Sequence, residues 1–218
     1  MKDAVVFDLD GLMVDTEPLS RQAWKSVLSA YRQPFPEALY ASVLGLRIED
    51  SAARLQAGLD LPVSPAELIE QKSAAMAALV AGGVPPMPGL HRLLTALDAR
   101  GLPWGVATSS RRGHAHEILT QLGLWSRCQA LAAGDEVQRG KPAPDVYLLA
   151  ARRLDVRPTK CLALEDSLTG ARAARAAGMV TVLVAPDRGP APEAVHFHRR
   201  SLVEVAADLQ QFLAWSQD

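Results

Sequence analysis

From Leu90 onward the chain alternates between two kinds of segment, and that alternation leaves few folds open. Short uncharged runs at Pro103 to Thr108, Ala130 to Ala133, Cys161 to Leu164 and Val180 to Val184 have the length and composition of buried strands. Between and after them lie stripes at helical spacing: Leu90, Leu93, Leu94 and Leu97; Ala115 to Leu122; Tyr147, Ala150, Ala151 and Leu154; Leu168 to Ala177; and Leu202, Val205, Leu209 and Phe212. Strand and helix in alternation predict βα units, and hence an α/β fold with a parallel sheet covered on both faces.

One further strand signal stands apart from this series. Ala4-Val5-Val6-Phe7-Asp8-Leu9-Asp10-Gly11 is an apolar run ending in two carboxylates and a glycine, yet the long segment after it is all helical. Trp24, Val27, Leu28 and Tyr31 share a helix face, Pro34 and Pro36 stop it, and further helices are expected over Glu37 to Leu44 and Ile48 to Ala57. Ser64-Pro65-Ala66-Glu67 is a capping box that opens a helix with Leu68, Lys72, Ala75, Met76 and Leu79 on one stripe. The glycines and prolines from Gly82 to Gly89 then punctuate the chain. The first strand therefore belongs to the α/β core, residues 1–14 and 83–218, and residues 15–82 are a helical insertion attached by two adjacent crossings, which together make a hinge.

The charge balance narrows the partners. With 23 basic and 24 acidic residues the net charge is −1, so neither a nucleic acid nor a membrane surface finds a basic face, and a small soluble substrate is expected. No run approaches membrane-spanning length, the strand starts too close to Met1 for a signal peptide, and Cys128 and Cys161 read as free thiols of a cytoplasmic protein. A monomer is the favoured state.

In an open parallel sheet, ligands bind beyond the carboxyl ends of the strands. Asp8 and Asp10 lie at one such end, two residues apart and so on one face of the strand. Thr108-Ser109-Ser110 follows the second strand and precedes a helix, offering hydroxyls and free N–H groups that suit a phosphate; an ordinary Ser110 N-cap is the simpler alternative. Glu165-Asp166-Ser167 ends another strand, and Lys141 sits in a loop stiffened by Pro142 and Pro144. Two carboxylates about 4 Å apart repel by roughly 4 kcal/mol at an effective dielectric near 20, so four acids gathered here call for a cation. All-oxygen ligands beside a phosphate favour Mg²⁺.

Asp8-Leu9-Asp10-Gly11 with Asp15-Thr16-Glu17, then Thr108, Lys141-Pro142-Ala143-Pro144-Asp145, Glu165-Asp166-Ser167, Gly170 and Ala177-Gly178-Met179 resembles the haloacid dehalogenase superfamily. Within it, the likeness is to the β-phosphoglucomutase-like phosphatases with a helical cap. The resemblance implies a Rossmann-like sheet of order 3-2-1-4-5 with an inserted helical cap, and a Mg²⁺-dependent phosphatase acting on a small phosphate monoester through an aspartyl-phosphate. It implies Asp8 as nucleophile, Asp10 as general acid/base, Thr108 and Lys141 as phosphate ligands with Ser109 and Ser110 beside them, and Asp8, Glu165, Asp166 and the Asp10 carbonyl at the metal. Asp10 would need its pKa lifted to about 7, and burial under a closed cap supplies a cause. Thr16, Glu17, Gly45 and Arg47 are expected to face the leaving group, Arg47 from a tight loop, with a solvated surface arginine as its alternative.

A sugar phosphomutase shares this core, but where the resembled mutases carry a basic residue and a histidine this chain has Ser20, Leu44 and Ile48. A dehalogenase is disfavoured by Asp10, and a non-catalytic phosphate-binding module by the intact catalytic positions. His114 and His116, two apart on a helix, read as surface residues, as do the Arg152-Arg153, Arg172/Arg175 and Arg199-Arg200 clusters; His196 and His198 fit a short strand.

Overall fold

The structure, a computed structural model, describes residues 1–186 and 195–215. β1 (Ala4–Phe7) is followed by four helices, α1 (Glu17–Ala30), α2 (Glu37–Ala41), α3 (Ile48–Leu59) and α4 (Pro65–Val80). Then come α5 (Leu90–Asp98), β2 (Trp104–Ala107), α6 (Arg112–Gln121), β3 (Ala130–Ala132) and α7 (Asp145–Arg153). The chain continues with β4 (Cys161–Glu165), α8 (Leu168–Ala176), β5 (Val180–Val184), β6 (Phe197–Arg199) and α9 (Leu202–Ala214). All strand pairs are parallel and the order is β3-β2-β1-β4-β5-β6, so β6 extends the expected five strands by one.

β1 lies at the centre, with Val5 beside both Trp104 of β2 and Leu162 of β4. Its alternation of faces is direct: Val5 and Phe7 pack with Leu90, Leu93, Leu97 and Phe212, whereas Ala4 and Val6 pack with Val146, Tyr147 and Ala173. Helices thus cover both faces. Because every strand runs the same way, Asp8, Thr108 and Glu165 emerge on one edge.

The insertion has its own apolar cluster, built from Trp24, Val27, Leu28, Tyr40, Val43, Leu55 and Leu68. The Ser64 capping box forms, with the serine hydroxyl accepting from Glu67 N–H and the Glu67 carboxylate accepting from Ser64 N–H. The two crossings lie side by side, Met87 N–H donating to the Met13 carbonyl at 2.8 Å and Val14 bridging Pro86. Among the described residues no helix is long and apolar enough to cross a membrane.

Two boundaries differ from the expectation by three residues, the others by less. α2 ends at Ala41 rather than Leu44, because Ser42, Val43 and Leu46 N–H groups turn back in short three-residue closures. α6 starts at Arg112 rather than Ala115, since Asp135 accepts from Arg112 N–H at 3.0 Å and supplies the missing cap.

Candidate active site

The site is built around a buried lysine. The Lys141 ammonium donates to Asp8 Oδ1 and to Glu165 Oε1, each at 2.6 Å, and all three side chains are almost inaccessible. Burial works against the lysine's charge, but attraction to Asp8 and Glu165 holds its pKa above the ordinary lysine value. The Glu165 carboxylate is fully engaged: Tyr147 donates to Oε1 at 2.8 Å, and the Ser167 N–H and hydroxyl both donate to Oε2 at 3.1 Å. Burial pushes Glu165 up, yet these bonds and Lys141 bring it below the usual range. Tyr147, read from sequence only as part of an apolar stripe, therefore belongs to the site.

Asp8 and Asp166 have no such surplus of donors. Burial, reinforced by Glu165 and Asp10 and opposed by Lys141, raises Asp8 to about 7. Burial and repulsion from Glu165 and Asp8 raise Asp166 to about 9. Asp166 approaches β1 closely only because residue 11 is glycine: a Cβ there would fall 2.2 Å from Asp166 Oδ2, and its φ of 89° is left-handed.

Asp10 differs from the expectation. Its carboxylate accepts from Thr16 at 2.6 Å, Ser110 at 2.7 Å and Thr108 at 3.3 Å, and His114 Nε2 lies 3.4 Å from Oδ1. Although burial acts to raise its pKa, His114 and the hydroxyls hold it well below the carboxylate range. The resting carboxyl is thus ionised rather than lifted to about 7. His114, expected at the surface, is half-buried against it; its relation to His116 on the helix said nothing of what another element could present.

The residues after β2 divide. Thr108 is buried, and its hydroxyl accepts from Ser110 N–H at 3.0 Å. Ser110 is not a helix cap, since Arg111 occupies that position. Ser109 turns to the insertion, where its hydroxyl donates to the Gly45 carbonyl at 3.0 Å, which gives it a partner other than a phosphate.

A cavity of about 750 Å³ opens over these groups, lined from the core by Asp8, Asp10, Thr108 and Lys141 and from the insertion by Thr16, Glu17, Tyr40, Gly45 and Lys72. Lys72 was legible as the one cation on α4's apolar stripe. Burial lowers its pKa, offset in part by Asp10 and Glu17. Ser20, Leu44 and Ile48 also line the cavity; Arg47 does not, its guanidinium turning instead to Asp50 and to the Val137 and Gln138 carbonyls.

Asp8, Glu165 and Asp166 bring carboxylate oxygens within 4.8 Å of one another. The set offers oxygen ligands only, and burial and mutual repulsion raise Asp8 and Asp166, so it fits a hard divalent cation, whose charge would offset both effects. Within it, Asp8 and Asp166 have free acceptor capacity; Glu165 is committed to Lys141, Tyr147 and Ser167, and the Asp10 side chain to its hydroxyls. Of the residues expected at the metal, Asp8, Glu165 and Asp166 come together here, and Asp10, expected there through its carbonyl, has its side chain held by the hydroxyls.

The sequence pattern of the family described as haloacid dehalogenase-like hydrolase matches residues 2–178. The chain is 37% identical over 182 residues to the fructose-1-phosphate phosphatase YqaB of Escherichia coli, covering 82% of this chain and 94% of that one. It is 33% identical over 186 residues to the β-phosphoglucomutase of Bacillus subtilis, covering 82% and 81%. Among solved structures, CbbY from Rhodobacter sphaeroides in complex with phosphate superposes with a TM-score of 0.85 at 29% identity, covering 94% of this chain and 96% of that one.

Proposed function

The chain belongs to the haloacid dehalogenase-like hydrolase family, and from that premise we propose that it is a Mg²⁺-dependent phosphoric monoester hydrolase with Asp8 as its nucleophile and residues 15–82 as its cap. The observation that carries this reading is the meeting of Asp8, Thr108, Lys141 and Asp166, delivered by separate strand ends and one loop, at the floor of one cavity.

Asp8 attacks phosphorus in line with the leaving oxygen and forms an aspartyl-phosphate, while Lys141 and the Thr108 hydroxyl steady the phosphoryl oxygens. Asp8 and Asp166 would hold the cation, which would supply positive charge for those oxygens. Asp10 delivers a proton to the leaving alkoxide and then withdraws one from the water that attacks the phosphoenzyme. Its ionised resting state suits the second role. For the first, a phosphoryl charge about 4 Å away acts in the right direction, by roughly 4 kcal/mol or about three pKa units at an effective dielectric near 20, which returns Asp10 to the ordinary carboxylate range.

The cap wall supports a hydroxylated leaving group. Tyr40 brings a hydroxyl and Glu17 a carboxylate that lie in hydrogen-bonding contact with each other, and Lys72 adds an ammonium facing the same space. The phosphomutase reading remains second: a β-phosphoglucomutase is among the relatives, but Ser20, Leu44 and Ile48 give the cavity neutral surface where a second phosphoryl group needs an anchor. The unpaired Cys128 and Cys161 fit a reducing compartment such as the cytoplasm.

A panel of sugar phosphates and other small esters, assayed for released phosphate after chelation and after restoring Mg²⁺ or Ca²⁺, tests this reading. Turnover with Mg²⁺ alone supports it. Conversion of β-glucose 1-phosphate to glucose 6-phosphate without phosphate release would exchange the two readings.

A further inference from the structure

Arg47 reaches out of the insertion and across to the loop that carries the catalytic lysine. Asp50 grips its guanidinium from below, accepting from Nε at 2.9 Å and Nη2 at 3.2 Å. The remaining nitrogen, Nη1, donates to the Val137 and Gln138 carbonyls, each at 3.2 Å. The fork therefore joins a cap carboxylate to two core carbonyls, an arrangement that needs a planar donor and that a lysine could not reproduce.

The core loop is shaped to receive it. A Cβ at residue 140 would lie 2.6 Å from Arg47 Nε and 2.8 Å from its Cδ and Cγ, and nothing nearer occupies that space. Gly140 has no left-handed φ, so its backbone would accept alanine; the absent side chain makes room for the arginine stem. The next residue is Lys141. Residues 137–140 lie between a short 3-10 turn at Gly134–Glu136 and α7, and so lack the hydrogen bonds of a regular element to fix them.

We propose that Arg47 is a positioning residue: it ties cap closure to the placement of the 137–140 backbone, and so holds the Lys141 ammonium where it reaches Asp8 and Glu165. It touches neither substrate nor reacting atoms. The inference rests on the phosphatase reading of the site.

Arg47→Ala, Gly140→Ala and the double variant test it, with turnover of p-nitrophenyl phosphate and hydrogen exchange of the 137–141 amides as readouts. Arg47→Ala is expected to lower kcat about tenfold with little change in KM, even for this small ester, because the lysine is shared by all substrates. Exchange over 137–141 should quicken while β1 and β4 stay protected. Gly140→Ala should act alike by expelling the arginine stem, and the double variant should be no worse than Arg47→Ala, since the clash is gone. Losses that multiply in the double variant, an unchanged kcat in Arg47→Ala, or loosened exchange throughout the sheet would each overturn the proposal. A wild-type protein inactive on every ester would instead remove the phosphatase reading, and the exchange comparison would still decide whether Arg47 fixes the loop.

Discussion

Lys141 balances two buried acids, and taking away one member of such a cluster costs far more than the cluster contributes. Lys141→Met should abolish turnover and destabilise the fold by about 3–5 kcal/mol, read as a lower denaturant midpoint; unchanged stability would mean that the ammonium is not held between Asp8 and Glu165. Asp8 and Asp166 carry the opposite signature. Their folded pKa values are raised, so between the ordinary aspartate range and about 9 the cation-free protein holds protons that the unfolded chain releases, and its stability falls as pH rises through that window. In the proposed function Mg²⁺ takes the place of those protons. Its thermal stabilisation should therefore be larger at about pH 8.5 than at about pH 5.5, and an equal shift at both would contradict the assignment of these carboxylates as ligands. The acids, Thr108 and Lys141 were legible in the sequence because each follows a strand or sits in a stiffened loop. His114 and Tyr147 were not, since each acts through a partner that only tertiary packing supplies.

Among the elements, helix starts separate local rules from the demands of the site. Ser64 caps α4 as its sequence foretells, and Ser64→Ala should cost about 1 kcal/mol in chemical denaturation while leaving kcat unchanged. A change in kcat would show that α4's register, and with it Lys72, had moved. Thr16 stands at the N-cap of α1 yet makes no capping bond, because its hydroxyl is given to Asp10. The end of α2 and the start of α6 escaped sequence reading for a related reason: they are set by turn closures and by Asp135, which lie outside the helical stripes. The parallel core was readable from alternation alone, and a short strand at His196 and His198 was readable too, whereas the place of β6 as a sixth strand beside β5 was not, since its three residues are only half-buried and form no apolar run.

For the molecule as a whole, the core and the helical insertion both line one cavity, and the proposed function assigns phosphoryl chemistry to the first and contacts with the rest of the ester to the second. Lys72→Met should raise KM for hydroxylated substrates about tenfold and change p-nitrophenyl phosphate turnover little; equal losses on both would place Lys72 in the chemistry itself. The most direct measurement of the central claim is mass spectrometry of the protein quenched in acid during turnover. A phosphoryl group on the peptide containing Asp8, present in the wild type and absent from Asp8→Asn, is the predicted result. Steady turnover with Asp8 never phosphorylated, or an Asp8→Asn protein still active within about tenfold of the wild type, would contradict it.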